Sequence, residues 1–169
     1  MRILGAILAG GQSRRFGSDK ALAEYQGHRL IDHVTDALRP QVDSLICVGR
    51  ASAEGELVTD LPRPGLGPLG GLAGALDHAR RHGYDAVLTC GCDILGLPVD
   101  LVQQLGAAPS IVADMPIVGI WPQSAADELL HWLETTDRHS VYTFADHSGA
   151  RRVRLRSPLR NINTQADLL

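Results

Sequence analysis

One segment of this 169-residue chain gathers glycines, arginines and the only lysine behind an apolar run: Leu8-Ala9-Gly10-Gly11-Gln12-Ser13-Arg14-Arg15-Phe16-Gly17-Ser18-Asp19-Lys20. Gly10 and Gly11 let backbone N–H groups approach a ligand without side-chain clash. Successive N–H groups in such a turn form a nest for an anion, and Arg14, Arg15 and Lys20 add cationic donors for phosphate oxygens. All the other basic residues are arginine. The ammonium at position 20 therefore stands out, because a compact point charge and a planar guanidinium do not substitute for one another on phosphate. Two common phosphate signatures are absent: Lys20 follows Asp19 rather than glycine, and Gly10-Gly11-Gln12 supplies no Gly-x-Gly. The grouping points to a triphosphate cradle, although a strand-ending turn with solvated arginines has the same composition.

Other candidate groups lie further along. Thr89-Cys90-Gly91-Cys92-Asp93 places a carboxylate behind a second apolar run. Mg²⁺ is commonly held by one or two carboxylates plus substrate phosphates, which makes Asp93 a candidate ligand; a turn or N-cap aspartate reads the same way. The thiols of Cys90 and Cys92 lack the complementary Cys/His pair that a four-ligand zinc site needs, and read better as small buried strand residues. Asp60 precedes Gly65-Leu66-Gly67-Pro68-Leu69-Gly70-Gly71. A carboxylate beside a helix N-terminus suits a base edge or a sugar hydroxyl, and it can accept from the N1–H and exocyclic amine of guanine. The same glycines would also serve close helix–sheet packing. His78 and His82 are four apart, roughly opposite the apolar stripe Leu69, Leu72, Ala73 and Leu76, which predicts two solvent-facing rings rather than a metal site. Arg151, Arg152, Arg154, Arg156 and Arg160 form either a solvated strand face or a docking surface for an anionic substrate. Asn161-Ile162-Asn163 alternates, so both amides point to one face before Thr164 caps a final helix; they position a polar substrate or cap a turn.

The elements that must position these groups alternate along the chain. Ile3–Leu8, Leu45–Val48, Leu57–Val58 and Ala86–Leu88 read as buried strands, with Ser110–Ala113, Ile117–Ile120 and Val153–Leu155 as later ones. A helical stripe (Leu30, Ile31, Val34, Ala37, Leu38) ends at Pro40. Further helices follow the loop 62–68, begin at Pro98, and cover Ala126–Leu133. Strands separated by helices predict an α/β fold: three αβα layers around a mainly parallel, Rossmann-like sheet. Ligands of such sheets sit at the carboxyl ends of the strands, so the loops 9–20, 60–68 and 89–93 should meet at one edge. Net charge of −3 excludes a generic nucleic-acid binder. No apolar run approaches the roughly 18 to 20 residues of a membrane span. The apolar N-terminus runs straight into Gln12-Ser13-Arg14-Arg15 and reads as a first strand, not a signal peptide. Three cysteines form no disulfide framework, and a cytoplasmic protein is expected.

These residues, in this order, resemble the molybdenum cofactor guanylyltransferase family of nucleotidyltransferases. The likeness rests on Leu-Ala-Gly-Gly-x-Ser-x-Arg-x-Gly-x-Asp-Lys over residues 8 to 20 and on Gly67-Pro68-Leu69-Gly70-Gly71-Leu72. It continues in Cys90-Gly91-Cys92-Asp93 with Pro98, and in Asn161-Ile162-Asn163-Thr164 with Asp167-Leu168. Related cytidylyltransferases usually carry Leu-Ala-Ala-Gly where this chain has Leu8-Ala9-Gly10-Gly11, so the resemblance favours guanine. It implies a single nucleotidyltransferase domain over 1–169, with a nucleotide half of about 1–98 and an acceptor half of about 99–169. It further implies transfer of GMP from Mg·GTP to the phosphate of molybdopterin, with loss of pyrophosphate. On that resemblance the Leu8, Ala9, Gly10 and Gly11 backbone, Asp60 and Gly70 hold the nucleotide. Lys20, Arg15 and Asp93 carry catalysis, Asp93 binds Mg²⁺, and Asn161 and Asn163 belong to the acceptor site. Molybdoenzymes that supply or receive the cofactor would be transient partners; nucleic acid and membrane would not be.

The chain departs from the family pattern at Phe16 (usually methionine), Val48 (asparagine in some members), Arg160 (frequently acidic) and Gln165 (frequently proline), and the segment 94–120 is short. A cytidylyltransferase or a sugar-phosphate nucleotidyltransferase of the same fold remains an alternative, as does a non-catalytic GTP-binding delivery protein.

Overall fold

The apolar run Ile3–Leu8 forms a central strand, β1, in a computed structural model that describes residues 1–10, 22–50 and 57–169. In chain order there follow β2 (Glu24–Tyr25), β3 (His28–Arg29), α1 (Leu30–Leu38), β4 (Ser44–Val48), β5 (Leu57–Val58), α2 (Pro68–Arg81), β6 (Ala86–Gly91) and β7 (Ile94–Leu95). The second part of the chain adds α3 (Leu101–Leu105), β8 (Ser110–Val112), β9 (Met115–Pro122), α4 (Ala126–Thr135), α5 (Val141–Ser148), β10 (Arg151–Val153) and β11 (Arg160–Asn161). Seven strands make one sheet in the order β10-β8-β9-β6-β1-β4-β5. Neighbours pair in parallel except across β9, which is antiparallel to both β6 and β8.

Burial follows the alternation of each strand. Leu4 and Ala6 of β1 point into one core with α2, α4 and α5, while Ile3 and Ile7 point into the other with α1 and α3. Helices thus cover both faces, and the three-layer αβα expectation holds. On the α2 face, Trp121 and Phe144 stack with ring centres 5.5 Å apart. All three cysteines are buried and none is in a disulfide.

Several local expectations are corrected. The β6 strand continues through Thr89–Gly91, leaving Cys92–Asp93 as the turn, because each of these residues can be buried in the middle of the sheet. The α3 helix begins at Leu101, with Pro98 in the turn before it, its carbonyl accepting from the Leu101 N–H. The final helix is a single 3₁₀ turn, Gln165–Leu168, in which Thr164 and Asp167 form a reciprocal capping box. His78 is buried, not solvent-facing: the α2 helix packs broadly enough to take that position under cover, and its ring stacks on that of the exposed His82 at 4.0 Å. Three elements were not expected at all: the β2–β3 hairpin, α5, and the small antiparallel β7–β11 pair.

Candidate active site

Parallel pairing aligns the carboxyl ends of β1, β4 and β6, with Leu8 opposite Val48 on one side and Gly91 on the other. The chain leaving β1 is stitched to its neighbour: Ala9 N–H donates to the Val48 carbonyl at 2.9 Å, and Gly49 N–H donates to the Val58 carbonyl at 2.9 Å. Gly49 has φ +88, and a Cβ there would lie 2.5 Å from the Gly10 Cα. Only glycine tolerates both the left-handed backbone and that approach. The Leu8-Ala9-Gly10 backbone is thereby fixed at the sheet edge. Gly11, Arg14, Arg15 and Lys20 lie outside the described residues.

Asp60 faces the first turn of α2 from the adjacent loop. A Cβ on Gly70 would stand 3.2 Å from one Asp60 carboxylate oxygen, and one on Gly71 would meet both Leu8 (3.2 Å) and Val48 (3.5 Å). Leu61 N–H donates to the Gly70 carbonyl at 3.0 Å, which holds the Asp60 loop against the helix. The α2 N-terminus has no side-chain cap, and its positive dipole end lies beside the Asp60 loop. Burial raises the Asp60 carboxyl above its ordinary range. Val48, where some relatives have asparagine, is packed in the core and offers only its carbonyl.

Asp93 sits just beyond β6. Its carboxylate lies against the bare Cα of Gly91, where a Cβ would come within 2.8 Å of Oδ1. Its carbonyl accepts from Ile162 N–H at 2.9 Å, and the next residue, Ile94, pairs with Asn161 across β7–β11. Ile162 is fully buried while Asn161 and Asn163 are exposed on either side of it. Asp167 Oδ2 accepts from the Asn163 and Thr164 N–H groups, both at 2.8 Å, and these donors hold its carboxyl below the usual range. The turn that carries both asparagines is therefore rigid and adjoins Asp93.

The donor set suits a hard cation. Among the described residues, no three His, Cys, Asp or Glu side chains gather as a metal site; Mg²⁺ needs only one or two protein carboxylates when phosphates supply the rest. Burial pushes the Cys90 thiol well up, and the neighbouring Asp93 carboxylate pushes the same way. That thiol stays protonated and does not compete as a soft-metal ligand.

Tyr25 carried no signal as a site residue, and Arg160 was read only as one of five arginines on a solvated face or an anion-docking surface. Arg160 donates to the Tyr25 hydroxyl (3.3 Å) and to the Asp167 carbonyl (2.6 Å), so Tyr25 of the β2–β3 hairpin is tied to the asparagine turn. The hairpin itself was readable in Gln26-Gly27, whose positive φ values of 51 and 82 are those a two-residue hairpin turn requires.

A MobA-like NTP transferase domain model matches residues 5–160. A molybdenum cofactor guanylyltransferase from Acidiphilium cryptum is 35% identical over 96% of this chain and 90% of its own length. One from Cereibacter sphaeroides is 34% identical over 99% and 94%. The chain belongs to the molybdenum cofactor guanylyltransferase family. Membership makes it a nucleotidyltransferase enzyme. The fold agrees: the structure of molybdopterin-guanine dinucleotide biosynthesis protein A from Archaeoglobus fulgidus superposes with a TM-score of 0.76 at 22% identity, over 98% of this chain and 94% of that one. In this guanylyltransferase-family chain, Asp60, Asp93 and the Asn161–Asn163 turn are positioned by separate elements along one sheet edge. Among the described residues, no helix is long and apolar enough to cross a membrane.

Proposed function

We propose that the protein transfers GMP from GTP to the phosphate of molybdopterin in the cytoplasm, forming the guanine dinucleotide cofactor and pyrophosphate. An acceptor phosphate oxygen attacks the α-phosphorus as the bond from that phosphorus to the β,γ-pyrophosphate breaks. No protein nucleophile is required, since such transfers depend on positioning and charge neutralisation. Asp60 accepts from the guanine N1–H and amine, beside the α2 N-terminus. The Leu8–Gly11 backbone, with Arg15 and Lys20, binds the triphosphate. Asp93 would hold Mg²⁺, which neutralises charge on the phosphates when bound. Asn161 and Asn163 orient the acceptor. Molybdoenzymes that supply or take the cofactor are its transient partners.

The observation that carries this reading is the adjacency of Asp93 to the asparagine turn through the Ile162–Asp93 hydrogen bond and the Ile94–Asn161 pair. It brings a carboxylate suited to Mg²⁺ and two exposed amides suited to an acceptor into one place. Pyrophosphate release in the presence of Mg²⁺ and molybdopterin tests it. Release with GTP and not with CTP is expected; release with CTP alone overturns the base assignment, and release with neither overturns the transfer.

A further inference from the structure

Two cavities flank this edge. The larger, about 360 Å³, adjoins Tyr25, His33, Leu97 and Arg160. Its polar groups serve one another: the His33 ring nitrogen lies 2.6 Å from the Tyr25 carbonyl, and Arg160 is held by Tyr25 and Asp167. The second, about 260 Å³, lies between the β8–β9 turn and the segment after β10, with Val112, Asp114, Arg154, Leu155 and Leu159 among its walls.

The C-terminal arginines divide at this point. Arg151 donates to the carbonyls of Leu105, the last residue of α3, and of Ala107 just after it. Arg152 pairs with Asp146 and lies over the Tyr142 ring, Arg156 pairs with Asp100, and Arg160 is engaged as above. Arg154 makes no hydrogen bond or ion pair among the described residues, and neither does Asp114, although both face the same cavity. The rim between them is fixed: Ala113 N–H donates to the Val153 carbonyl at 2.8 Å, and the Tyr142 hydroxyl donates to the Ala113 carbonyl at 2.6 Å.

A carboxylate and a guanidinium held apart on one small cavity select against a simple anion and a simple cation alike. They fit a neutral heterocycle that presents donors on one edge and an acceptor beside them. The apolar walls suit the faces of flat rings. The place is also right. The β8 and β10 strands run the same way as β6, so this cavity lies at the edge that carries Asp93. Three strand spacings separate β6 from β10, about 14 Å. Leu159 of the cavity leads directly into Arg160 and Asn161 of the acceptor turn.

We propose, resting on the acceptor reading above, that this cavity holds the pterin end of the acceptor. Asp114 accepts from the ring N–H and exocyclic amine of the aminopyrimidinone, and Arg154 donates to its ring carbonyl. The acceptor phosphate then extends along 159–163 toward Asp93.

Titration of 6-hydroxymethylpterin with the full chain, followed by pterin fluorescence, tests this without requiring turnover. Saturable binding is expected, weakened about tenfold or more by Asp114→Asn and by Arg154→Leu, with the circular dichroism of both variants unchanged. In the transfer assay the same variants should raise the KM for molybdopterin and leave the KM for GTP alone. Absence of pterin binding by the unmodified protein, or equal binding by both variants, overturns the assignment. Absence of turnover alongside variant-sensitive pterin binding counts against the transfer reaction and supports the cavity.

Discussion

Asp60 is a carboxylate placed where it costs stability in the absence of ligand. Its folded pKa is raised by burial, so the ionised form is disfavoured in the folded chain relative to the unfolded one. The penalty is absent below the ordinary carboxylate pKa and complete above the raised value. The proposed contact of Asp60 with guanine needs that same ionised form. GTP affinity should therefore fall as pH drops through the raised pKa. Asp60→Asn should stabilise the ligand-free protein at neutral pH while weakening GTP binding, because one amide hydrogen now faces a base donor. Thermal unfolding and GTP titration across the acid range check both halves; an Asn variant that binds GTP as well as Asp60 does would remove the carboxylate from base recognition. At this level Asp60 and Asp93 could be picked out as candidates from carboxylates beside glycines, and Asn161 and Asn163 from their alternation with Ile162. Asp114 carried no signal, and Arg154 was read only as one of five clustered arginines; the folding of the β8–β9 turn against the post-β10 segment puts the two on one cavity.

The inner strands of the central sheet were legible because they are apolar runs bounded by glycine, proline or charge, whereas the edge strand β10 is Arg151-Arg152-Val153 and was expected two residues later. The α5 helix was not, although Val141, Phe144 and Ala145 have helical spacing. Eight residues are too few to form a helix from propensity alone, and its stability comes from packing that is distant in sequence. Phe144 is fully buried, with Trp121 at 5.5 Å and Trp132 at 6.0 Å between ring centres. Phe144→Ala should cost about 3–5 kcal/mol of unfolding free energy, measured by urea denaturation; a loss under 1 kcal/mol would mean that α5 is not anchored through this ring. His78 was misread for a related reason. An apolar stripe marks the centre of a buried helix face and says little of its width, and α2 is covered on more than one side.

Across the molecule, parallel pairing explains why distant segments of sequence become one site. Leu8, Val48 and Gly91 are aligned by register, and the carboxyl edge they define receives α2 from one side and the β7–β11 pair from the other. The expectation that the loops after β1, β5 and β6 converge followed from topology alone. That the C-terminal asparagines join Asp93 required the β7–β11 pairing, formed by two-residue strands too short to carry an alternation pattern. The chain from Arg154 to Asn163 thus borders the second cavity and the Asp93 turn in succession. Measurement of pyrophosphate release by Asp93→Ala, with Mg·GTP and molybdopterin at saturation, bears on this arrangement most directly. A fall in kcat of at least about 100-fold is expected, with thermal midpoint and circular dichroism unchanged; release at the unmodified rate would contradict the placement of Asp93 at the reacting phosphates.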